Sequence, residues 1–553
     1  MLKGIFHRQI SSITIAAALV ATSSLVSRFL GIIRDRILAG QFGATTTLDI
    51  YYAAFRIPDL VFNLVVLGAL SAGFIPIFTS LIKPGRSELK SHSAGQETFQ
   101  KDNRPAAWIL ANNVLNWLLL GLAGLSLIGI IGAPALTKLI APGFSAAEQA
   151  TTASLTRIMF LSPLFLGISG IFGGILQSFK RFLIYSLAPI FYNLGIIVGA
   201  LYFVQWWGLA GLAWGVVLGA FLHMIIQIPT VYRLGFRYRL KIIWHDLNTK
   251  KIGRMMVPRT MSLAISQINL VVITIIASGL SSGSLAVFNF ANNLQSFPIG
   301  IFGISFAIAA FPALAEAAFD KAKLTASFSQ TIRQILFFVI PTTVLIVALR
   351  AQIIRVVLGT GQFDWQATIL TMNALAFFAI SLFAQATIPL LIRVFYARHN
   401  SATPFYLGLV TVAVNIVLSL ILGKSMGVAG LALAYSIANI LNLLLLWVWL
   451  NFSVGWLDIG NIAWSVLKFT TSAIAAGGAA QITKTIVWPF IDMTKFSGVF
   501  TQLMAALVVG SIVYLFFCYL FQSEELFSFL SALRRRLPFR KVKIEDQGEA
   551  RGF

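Results

Sequence analysis

The sequence predicts an all-α polytopic membrane protein of about 14 transmembrane helices, two parallel six-helix repeats followed by a C-terminal pair. Three observations predict it. The 553 residues are 58% hydrophobic and only 11% charged, whereas a soluble domain carries roughly a quarter charged residues. Apolar windows long enough to cross a bilayer recur along the chain, and one stretch repeats another at a fixed distance.

A spanning helix needs about 20 mostly apolar residues. Such windows fall near 11–40, 47–80, 107–133, 150–177, 184–205, 208–232, 257–280, 284–315, 328–349, 366–392, 403–423, 427–451, 463–487 and 499–521. The first could pass for a signal peptide, because Lys3 and Arg8 precede the apolar stretch from Ile10 to Val20. Its helical pattern runs on through Leu25, Phe29 and Ile33, so a retained span is expected. The segments lack period-two alternation and are too long for strands. Residues 81–106 read as a polar, flexible connection.

The repeat shows in Gly208-Leu-Ala-Gly-Leu-Ala-Trp-Gly, which recurs as Gly427-Val-Ala-Gly-Leu-Ala-Leu-Ala, an offset of 219 residues. Upstream, Ala141-Pro-Gly-Phe144 has a looser echo in Gly359-Thr-Gly-Gln-Phe363. The second span ends Gly73-Phe-Ile-Pro76 and the eighth Ala309-Ala-Phe-Pro312. Six spans separate the copies, so both bundles have the same orientation, an arrangement that places a substrate cavity at the interface of the repeats. The expected organisation is 1–235, an N-terminal six-helix bundle; 236–452, a C-terminal six-helix bundle; 453–521, two extra transmembrane helices; and 522–553, a basic cytoplasmic tail, mobile or lying on the lipid head groups.

The net charge of +23 comes from 41 Lys and Arg against 18 Asp and Glu. With the N-terminus cytoplasmic, 29 of these cations fall in inside segments and only 6 (Lys138, Arg350, Arg355, Lys424, Lys484 and Lys495) in outside loops. The positive-inside rule therefore places both termini in the cytoplasm. Anionic head groups account for the basic balance, and no nucleic acid is needed. The one cysteine, Cys518, cannot form an intrachain disulfide and does not fix the redox compartment.

Ionisable residues inside spans cost about 2.5–3.5 kcal/mol each and default to cavity or pathway positions. Here they cluster in the first two spans as Arg28, Arg34, Asp35, Arg36, Asp49, Arg56 and Asp59. Arg28 and Asp35 are seven apart, hence on one helical face; Asp49 and Arg56 repeat the spacing in reverse order. On antiparallel helices the acids sit near the outer surface, with Arg28 and Arg56 nearer the midplane, the layers roughly 10 Å apart. An internal ion-pair network or snorkelling from helix ends explains Arg36 and Asp59. Snorkelling is difficult at mid-depth, so Arg28 and Arg56 are read as substrate ligands. The planar arginine fork suits a phosphate or pyrophosphate. Prolines at 58 and 76, and at 298 and 312, suggest helices that bend in alternating access. The five histidines are scattered without zinc spacing, and no phosphate-binding loop is present, so neither metal nor cofactor is expected. The small-residue runs Gly167 to Gly174 and Gly208 to Gly211 read as helix packing.

The opening spans resemble one family closely. Ser27-Arg28-Phe-Leu-Gly31-Ile-Ile-Arg34-Asp35, then Phe42-Gly43-Ala44, Asp49 and Ala54-Phe55-Arg56-Ile-Pro58-Asp-Leu60 are similar to the start of the MurJ/MviN lipid II flippases. These belong to the superfamily of multidrug, oligosaccharidyl-lipid and polysaccharide exporters. Phe395-Tyr-Ala-Arg398 with Thr403-Pro404 fits the same family. The resemblance implies alternating access around a cationic cavity for a lipid-linked pyrophosphate sugar, with Arg28, Arg34 and Asp49 at the family's functional positions. Departures lie at Phe62 and Leu67, where the family has an arginine and a glutamate, and at Asn292-Asn293, where it has an Asp-Arg pair. Asn415 stands without the acids that would support sodium coupling.

The function expected is therefore a lipid II flippase of a bacterial inner membrane, with substrate-binding residues Arg28, Arg34, Asp35, Asp49, Arg56 and Asn293. The partners expected are a lipid-linked oligosaccharide and membrane lipids, with the chain functional as a monomer. The alternatives are a flippase for another polyprenyl-pyrophosphate saccharide and a membrane glycosyl- or phosphotransferase. The last would need acidic loop residues, and the outer loops offer mainly Glu148, Asp364 and Asp492 without a paired motif.

Overall fold

In the computed structural model, residues 13–67, 73–82, 104–455 and 457–536 are described. Among them there is helix and turn but no strand, and the chain is an all-helical, multi-pass membrane protein. The described parts of the expected spans are mainly helical. Among the described residues nine helices are long and apolar enough to cross a membrane, or ten if Trp365–Ile380 and Leu382–Ala397, bent by 44°, count as one span. Two of the four expected spans outside that set are those that carry the clustered charges. Residues 83–103, most of the expected flexible loop, lie outside the described residues, as do residues 537–553. The start of the expected tail is the helix Glu524–Arg536.

The chain divides into two compact units. One runs to Phe297 and takes in Arg350–Ser381 and Asn400–Leu446; the other holds Pro298–Leu349, Leu382–His399 and the chain from Trp447 onward. Eight helices build the first unit around the site: α1 (Ile13–Phe42), α2 (Thr46–Phe62), α3 (Arg104–Ile140), α4 (Ser162–Ser178), α5 (Phe182–Val198), α6 (Ala210–Ile225), α7 (Leu247–Ser278) and α8 (Ser284–Pro298).

Its core is aromatic: Trp108 on α3 stacks on Phe179 at 5.8 Å and meets Phe78 at 5.6 Å and Phe236 at 6.0 Å edge-on or tilted. Apolar burial adds little between helices in lipid, so close backbone approach takes over. A Cβ on Gly195 would lie 2.3 Å from Gly219 Cα, one on Gly199 2.3 Å from Gly215 Cα, and one on Gly211 2.3 Å from the Phe203 carbonyl carbon. These three rungs join α5 and its continuation to α6. Residues 236–243, which lead into α7, form no helix, so their peptide groups need other partners. An asparagine clamp on α3 supplies them: Asn112 bonds Arg237 O and Arg239 N–H, Asn116 bonds Arg239 O and Lys241 O, and Asn113 bonds both Ile243 backbone groups.

The repeated segments share local conformation. Gly208 (φ 54, ψ −141) and Gly427 (φ 60, ψ −139) adopt the same glycine-only turn. Ser145 and Asp364, each following the Phe of the upstream motif, both cap a helix, accepting the N–H of Glu148 and Ala367 respectively. In the second and eighth spans a π-helical stretch begins at Asn63 and at Ile299. In the second unit, helices Ile459–Val487 and Phe496–Leu520 pack together, and the Tyr514 hydroxyl donates to Phe337 O at 2.7 Å. Arg333 pairs with Glu524 at 3.0 Å and Glu525 at 3.1 Å, fixing the start of the last helix.

Candidate functional site

Arg28 and Asp35 lie on one face of α1, as their spacing requires, and that face meets α8. The Arg28 Nη1 donates to Ser296 O at 3.4 Å, and Asn293 Nδ2 donates to Asp35 Oδ2 at 2.8 Å. The other Asp35 oxygen takes the Arg34 guanidinium through Nε at 3.0 Å and Nη2 at 2.8 Å. Arg34 Nη1 reaches Asn193 Oδ1 on α5 at 3.2 Å. Asn193, Arg34, Asp35 and Asn293 thus form one hydrogen-bonded chain across α5, α1 and α8, with Asp35 buried and its charge matched by Arg34.

Asp49 and Arg56 share a face of α2 but meet different elements. The buried Asp49 carboxylate accepts the N–H of Gly283 at 2.7 Å and of Ala286 at 2.8 Å, so it closes the N-terminus of α8. A carboxylate there satisfies two otherwise free donors and faces the positive end of the helix dipole. The buried Arg56 donates through Nε to Thr274 Oγ1 on α7 at 3.0 Å. Among the described residues neither Arg28 nor Arg56 pairs with a carboxylate within 4 Å. Arg36 binds the carbonyls of Val356 and Val357 at the end of the helix Lys321–Val357. Asn415 donates to Asn269 Oδ1 at 2.7 Å.

A cavity of about 590 Å³ opens among α1, α2, α4, α5 and α6. Of the six expected site residues, only Arg28 lines it, and among the described residues no carboxylate does. The others lie behind or beside this wall, in the Asp35 chain, at the start of α8 and against α7. Beside Ser24 and Ser27 on α1, the polar lining includes residues that escaped the sequence reading: Ser169 and Gln177 on α4, Tyr185 and Ser186 on α5, and His223 and Gln227 at the end of α6. His223 stands in no ligand motif, and Ser169 hides inside a stretch read as helix packing. The available signal was polar residues at helical spacing, Ser169 with Gln177 and His223 with Gln227.

These last residues are tied together. The Gln227 amide donates to Ser169 Oγ and, at 3.0 Å, to His223 O; Ser169 Oγ also lies 2.6 Å from His223 Nδ1 and 3.1 Å from His223 O. The chain breaks from helix at Ile226 and Gln227, whose N–H groups bond Leu222 O and Met224 O. His223 O is left for the two side chains.

The family described as lipid II flippase MurJ matches residues 38–520. The chain belongs to that family. MurJ relatives agree along most of their length. The probable lipid II flippase MurJ of Vibrio cholerae is 28% identical over 482 residues, 83% of this chain and 87% of its own. The lipid II flippase MurJ of Burkholderia cenocepacia is 28% identical over 443 residues, 78% and 82% of the two chains. A solved structure of lipid II flippase MurJ in an inward closed conformation matches with a TM-score of 0.73 at 23% identity, covering 91% of this chain and 98% of that one. The last agreement establishes the MurJ fold for this helix arrangement.

Proposed function

We propose that this chain moves lipid II, a polyprenyl-pyrophosphate-linked peptidoglycan precursor, from the inner to the outer leaflet of a bacterial cytoplasmic membrane. It is a transporter, not an enzyme. Membership of the MurJ family supports the reading, and one geometric observation carries the site: Arg28, with no carboxylate partner among the described residues, stands on the wall of the cavity. A pyrophosphate needs charge and paired donors together, and a charge-assisted hydrogen bond is worth about 1.5–3 kcal/mol. Arg34, Asp35 and Asn293 hold α1 against α8 beside it, while Asp49 closes the start of α8 and Arg56 ties α2 to Thr274 on α7.

The mechanism is alternating access between two six-helix repeats, working as a monomer with both termini cytoplasmic. The shared glycine turns and helix caps of the two copies support the repeat, and the Lys and Arg distribution supports the orientation. Binding of lipid II to purified protein, alongside rescue of a host depleted of its own flippase, tests the proposal. Arg28→Ala should lose at least tenfold in affinity and fail to rescue; Arg28→Lys, which keeps charge but not the fork, should rescue in part. Wild-type affinity in a well-folded Arg28→Ala protein removes Arg28 from the site. A wild-type chain that neither binds lipid II nor rescues overturns the function.

A further inference from the structure

The cavity wall that faces Arg28 is built from neutral groups, and its hydrogen atoms can be accounted for one by one. Gln227 Nε2 has two hydrogens, and both are used, on Ser169 Oγ and on His223 O. Turning the amide over would set its oxygen against the His223 carbonyl oxygen, so the orientation is fixed. Gln227 Oε1 is then left without any partner, although the residue is 1% exposed. Buried acceptors of this kind are nearly always satisfied. Gly173 leaves space beside it: a Cβ there would stand 3.6 Å from Oε1 and 3.2 Å from the Tyr185 ring.

Ser169 and His223 hold that amide in place. Ser169 Oγ lies 2.6 Å from His223 Nδ1 and 3.1 Å from His223 O, so it is pinned to the same residue whose carbonyl takes the second amide hydrogen. One cation lining the cavity thus shares it with one unsatisfied acceptor.

We infer that Ser169, His223 and Gln227 form a subsite for the saccharide next to the pyrophosphate, with Gln227 Oε1 accepting from its hydroxyl or acetamido groups. An anion would be repelled by this lone pair, and an apolar chain would leave it unpaired, so the occupant is a group rich in donors. Gln227 touches the substrate; Ser169 and His223 are positioning residues that hold its amide through both hydrogens. The inference rests on the lipid II reading and adds which part of the carrier is recognised where.

The test compares two ligands, lipid II and the same polyprenyl pyrophosphate without its saccharide, by affinity for purified protein. Wild type should prefer lipid II. Gln227→Met should weaken lipid II at least tenfold and leave the bare pyrophosphate within twofold, while Arg28→Ala weakens both. Because Gln227→Met also removes the donors to Ser169, Gly173→Ala is the second variant. It removes no hydrogen-bonding group, fills the space between Oε1 and the Tyr185 ring, and should likewise weaken lipid II alone. Equal affinity of wild type for the two ligands overturns the inference. So does a Gln227→Met protein that weakens both ligands alike or neither. A wild-type protein that binds lipid II while both variants keep its preference sinks the subsite and spares the function; a wild-type protein that binds neither ligand sinks both.

Discussion

Asp49 and Arg56 sit seven residues apart on one helix, yet their surroundings give them unlike tasks. Asp49 spends both carboxylate oxygens on backbone N–H groups that open α8. Asp49→Ala should therefore cost about 1–2 kcal/mol, the range for loss of a helix cap, while Asp49→Asn, which keeps one acceptor, should cost less. Thermal unfolding of the purified protein reads the difference, and equal midpoints for wild type and Asp49→Ala would exclude the capping role. The charges were legible because an ionisable residue in an apolar run has few explanations. Their partners were not, since Asn193, Ser296 and Thr274 are ordinary span residues until folding brings them to Arg34, Arg28 and Arg56. His223 was passed over because its partners Ser169 and Gln227 form no pattern along the chain that is specific to chemistry.

Helices read out well from apolar windows, and their ends less so. The sequence marks Gly208 and Gly427 as matched positions, and the structure adds the physical reason for both glycines. Each lies at φ near +60 with ψ near −140, and no atom lies within 4 Å of a Cβ built there. The cost of a side chain is therefore backbone strain alone, of order 1–3 kcal/mol. Gly208→Ala and Gly427→Ala should lower the melting temperature by similar amounts, as equivalent turns of two copies. A large loss at one site and none at the other would dissolve the equivalence. The helix Glu524–Arg536 was missed because its basic end resembles a solvated tail; Glu525, buried beside Arg333 and accepting from Ser465 at 3.1 Å, shows what anchors it.

At the scale of the whole molecule, orientation is the property that charge bias alone supports. Cysteines placed in the turns at 205–208 and 280–284 should react with an impermeant reagent from the outer face. Cys518 is fully buried, so the background in wild type should already be low. Labelling of those turns from the cytoplasmic side only would reverse the topology and with it the direction assigned to transport. A bundle that changes shape during transport also has to keep some contacts intact throughout. The three rungs between α5 and α6 contain almost no side chain, only glycine backbone against backbone. A contact without rotamers has nothing to freeze when it forms, whereas ordering a long side chain costs up to about 2 kcal/mol. The crossing is thus close to free of side-chain entropy, and warming, which penalises ordered side chains in proportion to temperature, has little there to act upon.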